Sequence, residues 1–406
     1  MRAQQAPNRH MRPFHSVKSV YAEHSINDAL KAGQLTADDA RLIRDFVAEI
    51  KATRGIGVSR ANKLTYSLVS WRQYIGPFRT NTVADLYRGL EALREARHDN
   101  IPYKQNTLKD HIVLLKRFFR WLRANGYSTV PADKIEGIRA PKADRMTKTA
   151  GQLLTEDEVR AMIDACQNSR DRAVIATIYE GSFRVQELGR LTWSQVKFDD
   201  YGTVINVDEK TGAPRYVRLV AATQYLIQWK NDFPFPVTPD ALVFVSNRRL
   251  PVQYSAVAVQ LKKIARRAGI RKKISPHIFR HSRITEMIRQ GYSESIVKRM
   301  AWGNIDSTMF SRYLHLVDND TDNEVLEKHG IRRPEERRSD AMEVRQCASC
   351  NTVNPPTFQF CSTCGEPLTE KVRMSMERLR RDIEKTPEYQ EIVGVARRKL
   401  AAVTGT

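Results

Sequence analysis

The sequence has few features that would place the protein in a membrane or in an oxidising compartment. It contains five cysteines in 406 residues, too few and too unevenly spaced for a disulfide framework. No run of about 18 apolar residues occurs, so we expect no transmembrane helix. The first residues, MRAQQAPNRHMRPFH, are basic but lack the apolar segment that follows in a secretory signal. These absences together predict a cytoplasmic protein.

Acidic residues are also scarce relative to basic ones. The chain has 67 Lys and Arg residues against 46 Asp and Glu residues, a net charge of +21. An excess of this size favours a polyanionic partner, and nucleic acid is the first candidate. The length exceeds what one hydrophobic core usually supports, so we expect two or three domains.

The first third of the chain is predicted to be helical. We expect a flexible basic arm over residues 1–17, followed by helices over residues 18–137. There the apolar residues recur every three or four positions, as in NTLKDHIVLLKRFFRWLRANGY, where a basic face opposes an apolar one. The polar and basic segment 138–152, interrupted by Pro141, is typical of a linker.

Helix and strand signals alternate over residues 153–330. A capping box of Thr155 and Glu158 begins a helix. GTVINV and RYVRLV alternate apolar and polar residues as half-buried strands do, and ALVFVS is a candidate third strand. This segment therefore predicts a mixed α/β domain with a small antiparallel sheet.

The segment SPHIFRHSR combines a helix start with groups that can bind a phosphate. Ser275 suits the N-cap and Pro276 the first helical position. His277 and Arg280 then share one face of the first turn, where free N–H groups already favour an anion. An imidazole and a guanidinium would strengthen that site, although a solvated basic turn remains the alternative for this motif alone.

Four segments in order resemble the tyrosine recombinase (phage integrase) family. GSFRVQELGRLTW resembles the family's first box, with Arg184, and VDEKTGAPRYV resembles its lysine turn, with Lys210. HIFRH resembles the H-x-x-R motif, with His277 and Arg280. In STMFSRYLHL, Tyr313 lies 33 residues after Arg280, where the family has its nucleophile. The resemblance implies a mainly α multidomain protein with a helical, SAM-like core-binding domain and a mixed α/β catalytic domain.

The resemblance also implies a reaction in which DNA is cleaved without metal or ATP in the chemical step. Tyr313 would attack phosphorus and form a 3′-phosphotyrosine, while Arg184 and Arg280 stabilise the extra negative charge. Lys210 would protonate the departing 5′-oxygen, and His277 would hydrogen-bond the phosphate and help to take the tyrosine proton. The implied partners are double-stranded DNA and further copies of the chain, a dimer on a site and a tetramer in the synapse.

One position departs from the family pattern. Members usually carry a His or Trp shortly before the tyrosine, whereas this chain has AWGNIDSTMFSRY. Trp302 and Asn304 can each donate a hydrogen bond to a phosphate. We favour Trp302 as the sixth site residue, with a core indole as the alternative.

A separate cysteine motif follows the catalytic segment. CASCNTVNPPTFQFCSTCGEP contains two C-x2-C pairs separated by ten residues, a pattern typical of tetrahedral zinc. We therefore predict a structural zinc ribbon over residues 340–368, similar to accessory modules of archaeal integrases, and one amphipathic basic helix over 369–406. Redox pairing of the thiols is the less favoured alternative. The predicted ligands are Cys347, Cys350, Cys361 and Cys364.

Two other functions were weighed against a site-specific recombinase of a mobile element. A type IB topoisomerase uses similar residues, but the compact catalytic segment and the helical N-terminal domain favour the recombinase. A non-catalytic DNA-binding regulator would keep the basic charge without the chemistry. The set of Arg184, Lys210, His277, Arg280 and Tyr313 argues against a regulator.

Overall fold

The computed structural model describes residues 6–7, 14, 17–98, 101–144, 149–207, 214–314, 329 and 341–404. The chain forms two compact units, one of residues 16–147 and the other of residues 1–15 and 148–406. Both are mostly helical, and the second contains a small antiparallel sheet, as the sequence predicts. Among the described residues, no helix is long and apolar enough to span a membrane.

The first unit is a helical bundle with a short hairpin. Helix α2 starts with a capping box at Thr36, and α4 starts with one at Thr82, where each threonine side chain accepts a hydrogen bond from the backbone. The aromatic rings of Phe46, Phe118 and Trp121 meet at the centre of its core. The elements are α1 (Val20–Lys31), α2 (Ala37–Arg54), α3 (Val58–Trp71), α4 (Val83–Glu95), β1 (Arg97–His98), β2 (Ile101–Pro102), α5 (Gln105–Ala124) and α6 (Ala132–Gly137).

The basic face of α5 is largely engaged within its own unit. Lys116 donates to the backbone oxygens of Glu136 and Ile138, and Arg120 pairs with the Glu136 carboxylate. Arg123 donates to the Val130 carbonyl oxygen. These contacts hold α6 and the segments on either side of it.

The second unit packs helices around the sheet β3–β4–β5. Strand β4 lies between its two antiparallel neighbours, with Ile205 opposite Val196 on one side and opposite Val217 on the other. The elements are α7 (Glu156–Asp164), α8 (Ser169–Glu180), α9 (Val185–Arg190), β3 (Val196–Asp199), β4 (Gly202–Val207), β5 (Arg215–Leu219), α10 (Thr223–Asn231), α11 (Tyr254–Arg267), α12 (Pro276–Arg289), α13 (Glu294–Trp302) and α14 (Ser311–Leu314).

The segment ALVFVS is not a strand of this sheet, contrary to the prediction. Its backbone bonds instead to the chain between α9 and β3, where Trp193 N–H donates to Ala241 and Val243 N–H donates to Leu191. Residues 241–245 are all buried, so the run is apolar because it lies in the core. The third strand is β3, which the sequence analysis did not predict.

The beginning of the chain differs from the predicted flexible arm at the positions described. The Pro7 carbonyl oxygen accepts a hydrogen bond from Leu242 N–H, and the Phe14 carbonyl oxygen accepts one from Tyr254 N–H. Phe14 is buried against Gly189, where an added Cβ would lie only 2.0 Å from its ring. A large apolar side chain in a basic segment explains the difference, because burial outweighs its freedom in water.

The predicted single C-terminal helix is two helices. After the short strands β6 (Arg345–Gln346) and β7 (Val353–Asn354) come α15 (Glu370–Glu384) and α16 (Pro387–Thr404). The break falls before Pro387, which lacks the N–H to continue a helix but suits the first position of a new one.

Candidate functional site

Arg184 lies at the N-cap of α9, directly after a tight turn. Ser182 in that turn has φ 47°, a left-handed conformation that turns the chain from α8 into α9. The Glu187 carboxylate accepts both the Arg184 backbone N–H at 2.7 Å and its Nη1 at 2.9 Å. The position of the Arg184 guanidinium is therefore set by a residue one turn further along the same helix.

Glu187 is itself held by a buried arginine that the sequence analysis missed. Arg215, the first residue of β5, has a fully buried side chain and pairs with the Glu187 carboxylate. Its Nη1 donates to the carbonyl oxygens of Met300 at 2.5 Å and Ala301 at 2.9 Å. The last carbonyls of a helix lack intrahelical partners, so Arg215 links the end of α13 to the start of α9.

Arg280 occupies the centre of the site. Helix α12 begins at Pro276 as predicted, which places Arg280 in its second turn with only 5% of the residue exposed. Its guanidinium donates to Ser182 O at 2.5 Å and to Ala301 O at 2.6 Å. Burial, followed by the positive charges of Arg184 and Arg215, lowers the pKa of Arg280 to about 10.

His277 lies one turn before Arg280, and its side chain is exposed. Desolvation of the ring, followed by the nearby charges of Arg280 and Arg184, lowers its pKa. A neutral imidazole beside two guanidinium groups can still donate one hydrogen bond to an anion.

Tyr313, in α14, is buried to 3% exposure beside these cations. Its hydroxyl is 2.9 Å from Nδ1 of His281, and the two ring centroids are 5.5 Å apart. Burial raises the pKa of Tyr313, and the charges of Arg280, Arg312 and Arg184 oppose that rise. The sequence analysis missed His281, although its place four residues after His277 was a usable signal.

Trp302 and Asn304 differ in their surroundings. The Trp302 ring is 5.9 Å from the Tyr313 ring, and the Arg280 guanidinium carbon lies 5.6 Å from its centroid. Asn304 is exposed, and its side-chain oxygen accepts the Asp306 N–H. Lys210 lies outside the described residues.

These side chains can carry out one kind of chemistry together. Two guanidinium groups, Arg184 and Arg280, lie close enough to Tyr313 to affect its ionisation. Fixed cations next to a phenol suit attack on a phosphodiester, because charge builds on the nonbridging oxygens as the new bond forms. The fold and the side chains thus define an enzyme class that cleaves phosphodiesters with a tyrosine.

The four C-terminal cysteines form a separate cluster. Their sulfur atoms all lie within 4.8 Å of one another, with Cys347 and Cys364 3.5 Å apart and Cys350 and Cys361 3.5 Å apart. Tetrahedral zinc thiolates place sulfurs about 3.8 Å apart, so the cluster fits zinc. Asn351 and Gly365, which follow the two pairs, both have positive φ.

The cysteine segment packs on the catalytic core. The Tyr225 hydroxyl of α10 hydrogen-bonds the Thr357 hydroxyl, and the Tyr225 ring meets Phe358 edge-on at 5.8 Å. Gln224 Nε2 donates to Val353 O at 3.5 Å. The cysteine segment therefore contacts one side of α10.

Comparisons with known proteins relate part of this chain to one family. Residues 152–320 match the phage integrase family. A tyrosine recombinase of Thermosipho africanus is 28% identical over 239 residues, which cover 58% of this chain and 81% of that protein. Tyrosine recombinase XerC of Xylella fastidiosa is 26% identical over 283 residues, 68% of this chain and 92% of that protein.

Solved structures of lambda integrase share the fold. The enzyme bound to DNA aligns with a TM-score of 0.53 at 16% identity, over 68% of this chain and 96% of that one. A tetramer bound to a Holliday junction aligns with a TM-score of 0.52 at 18% identity, over 67% of this chain and 76% of that one. Residues 152–320 belong to the phage integrase (tyrosine recombinase) family, and the protein is a site-specific DNA recombinase.

Proposed function

We propose that the chain cleaves and rejoins DNA strands through a covalent 3′-phosphotyrosine at Tyr313. The convergence of Arg184, Arg280 and Tyr313 carries this proposal, since elements far apart in sequence bring two cations to one buried phenol. In the first step the Tyr313 oxygen bonds to phosphorus and the bond from phosphorus to the 5′-oxygen breaks. Attack by a 5′-hydroxyl of another strand reverses the step, so no ATP is needed.

Each further site residue has a role in this step. Arg184 and Arg280 stabilise the negative charge of the transition state, and His277 donates a hydrogen bond to the phosphate. Lys210, which follows β4 and precedes β5 in the sequence, protonates the leaving 5′-oxygen. Trp302 fills the auxiliary phosphate position through its indole N–H, which its packing against Arg280 and Tyr313 supports.

The proposed partners are duplex DNA and other copies of the chain. Residues 18–137 serve as the core-binding domain and 153–330 as the catalytic domain, joined by the linker 138–152, with a dimer on each site and a tetramer in the synapse. The charge of +21 and the DNA-bound dimeric and tetrameric forms of lambda integrase support this arrangement. We assign the protein to the cytoplasm, as an integrase of a mobile element.

The function can be tested with nicked duplexes that trap the covalent intermediate. A pool of random-sequence nicked duplexes is incubated with the intact protein, and DNA that stays attached in SDS is recovered and sequenced. We expect attachment at one preferred sequence, followed by strand joining between two such duplexes. Relaxation of supercoiled DNA without joining would instead indicate a topoisomerase, and binding without attachment would indicate a regulator.

Cleavage of the selected duplex should persist in EDTA in an assay of a few minutes. The reason is that guanidinium groups, and no metal, neutralise the phosphate in the proposed step. The rate of adduct formation is compared with and without EDTA, and added magnesium should not change it. An absolute requirement for a divalent cation would contradict the proposed mechanism.

We further propose that the four cysteines hold one structural zinc in a ribbon over residues 340–368. The ribbon would be an accessory module of the type attached to archaeal integrases, and catalysis would need no cofactor. Its sulfur geometry and its short length support the assignment, because so small a segment has too little apolar surface to fold without metal.

Replacing Cys347 by serine should remove the zinc and lower the thermal midpoint, since the ribbon covers Tyr225 of α10. Metal analysis of the purified protein should give one zinc per chain for the wild type and none for the variant. Cys166→Ser, which alters a buried cysteine outside the cluster, is the matched control and should keep its zinc. A wild-type protein without zinc would remove the ribbon assignment but not the recombinase site.

A further inference from the structure

We propose that His281 is the general base that takes the proton from Tyr313 during cleavage. The inference rests on the proposed function and assigns a step that the family motifs left to His277. Its basis is a contact to the reacting atom itself, because His281 Nδ1 lies 2.9 Å from the Tyr313 hydroxyl oxygen. A base must reach the proton it abstracts within hydrogen-bond distance.

The local structure holds this pair in place. Tyr313 is almost completely buried and packs against Trp302, while His281 extends from the helix that carries Arg280. The rings of His281 and Tyr313 are tilted by 36° to each other, and Nδ1 lies 2.9 Å from the hydroxyl oxygen. When the imidazole is neutral and Nδ1 carries no proton, the tyrosine O–H can donate to it.

His277 is less suited to the same role. It is exposed, and the charges that act on it are those of Arg280 and Arg184, the two proposed phosphate ligands. That position favours a hydrogen bond to the phosphate. The two histidines of α12 therefore have different roles. His277 hydrogen-bonds the phosphate, and His281 accepts the proton of the nucleophile.

The charged groups around Tyr313 favour its ionisation. Arg184 of α9, Arg280 of α12 and Arg312 of α14 all act on it, and all three are cationic. As the bond from the tyrosine oxygen to phosphorus forms, the proton passes to His281 Nδ1 and the bond from phosphorus to the 5′-oxygen breaks. Lys210 supplies the proton of the leaving 5′-hydroxyl, and the imidazolium of His281 returns its proton to Tyr313 when the strand is rejoined.

Two substitutions distinguish a His281 that acts as a general base from a His281 that only positions Tyr313. His281→Asn keeps an oxygen able to accept the tyrosine O–H but does not hold a proton, whereas His281→Phe keeps only the ring packing. Single-turnover cleavage of the selected nicked duplex is followed from pH 6 to about 9, and DNA affinity is measured by gel shift. His24→Asn, which removes an exposed imidazole of α1, is the matched control.

We expect both His281 variants to bind DNA normally and to cleave about 10²-fold more slowly or worse. Their rates should rise about tenfold per pH unit, because hydroxide must then ionise the phenol below its pKa. Wild-type cleavage should level off instead. Full activity in His281→Asn, or a slow rate that does not respond to pH, would show that His281 only positions Tyr313 and would overturn the proposal.

A substrate with sulfur at the 5′-bridging position distinguishes the base from the acid. A thiolate leaves without a proton because thiols are far more acidic than alcohols, with a pKa of about 8.5. On this duplex the cleavage rate of Lys210→Ala should recover, and the His281 variants should stay slow. Recovery of the cleavage rate in His281→Asn would show that His281 acts as the general acid and would refute the assignment. If the wild type forms no adduct on any duplex, the proposed function itself fails, whereas wild-type cleavage with active His281 variants defeats this inference alone.

Discussion

Replacing Tyr313 by phenylalanine is expected to abolish covalent attachment to DNA while leaving affinity for the duplex almost unchanged. The substitution removes one oxygen, the proposed nucleophile, and keeps a ring that is buried beside Trp302. Loss of the hydroxyl also leaves His281 Nδ1 without this partner, at a cost of about 1–3 kcal/mol if no water replaces it. That cost lowers the free energy of unfolding but does not alter the surface that is exposed to DNA.

The measurement is the fraction of end-labelled nicked duplex that stays attached to protein in SDS. Tyr201→Phe is the matched control, since Tyr201 is 77% exposed and lies on the turn between β3 and β4. We expect no adduct with Tyr313→Phe and a normal adduct with Tyr201→Phe. A phosphotyrosine that persists in Tyr313→Phe would show that another residue is the nucleophile.

The sequence was sufficient to propose candidate phosphate-binding residues, because their types and order along the chain are distinctive. The motifs indicate Arg184, His277, Arg280 and Tyr313, and the structure places these four residues near one another. The start of α12 at Pro276 was also predicted correctly, since a cap followed by proline is a local signal.

The residues that hold the site together were harder to predict. Glu187 positions Arg184, and it is itself held by Arg215. Arg215 lies on a strand distant in sequence and also donates to Ala301 O. Both would pass as ordinary surface charges in the sequence, since burial is a property of the tertiary structure. His281 carried a weak signal, its spacing from His277, but nothing in the sequence indicates that it reaches Tyr313.

Two apolar segments were also assigned incorrectly, because the sequence does not show which part of the structure they pack against. ALVFVS lies in the core without belonging to the sheet, and a continuous apolar run does not distinguish the two cases. Phe14 was assigned to a flexible arm because its neighbours are polar and basic, although it packs against Gly189 in the catalytic unit. For ALVFVS the composition indicated burial but not the packing partner, whereas the polar neighbours of Phe14 gave no indication that it is buried.

Removing either proposed phosphate-binding arginine should slow cleavage by about 10²-fold or more, but only one of the two changes should also weaken the fold. Loss of a preorganised donor to the developing charge accounts for the common effect. Arg280 is buried and donates to Ser182 O and Ala301 O, so Arg280→Ala leaves Ser182 O without that donor. Each unsatisfied buried oxygen costs about 1–3 kcal/mol.

Arg184→Ala should have almost no effect on stability. The Arg184 side chain is 34% exposed, and its partner Glu187 keeps a second cation in Arg215 when Arg184 is removed. Single-turnover cleavage and thermal unfolding are measured for both variants, with Arg160→Ala, on the partly exposed surface of α7, as the matched control. We expect Arg280→Ala to unfold several degrees lower than Arg184→Ala, at equal or greater loss of rate.

Comparing Arg184→Ala with Arg280→Ala separates loss of cleavage rate from loss of stability, because the two guanidinium groups make different contacts within the protein. If Arg184→Ala cleaved DNA at the wild-type rate, α9 would not carry a phosphate ligand and the first family box would be misaligned. If Arg280→Ala were as stable as Arg184→Ala, the bonds from Arg280 to the turn before α9 and to the end of α13 would contribute little. A loss of rate in both variants together with a loss of stability in Arg280→Ala alone is the result that requires Arg280 to act both as a phosphate ligand and as the residue that joins α9, α12 and α13 around Tyr313.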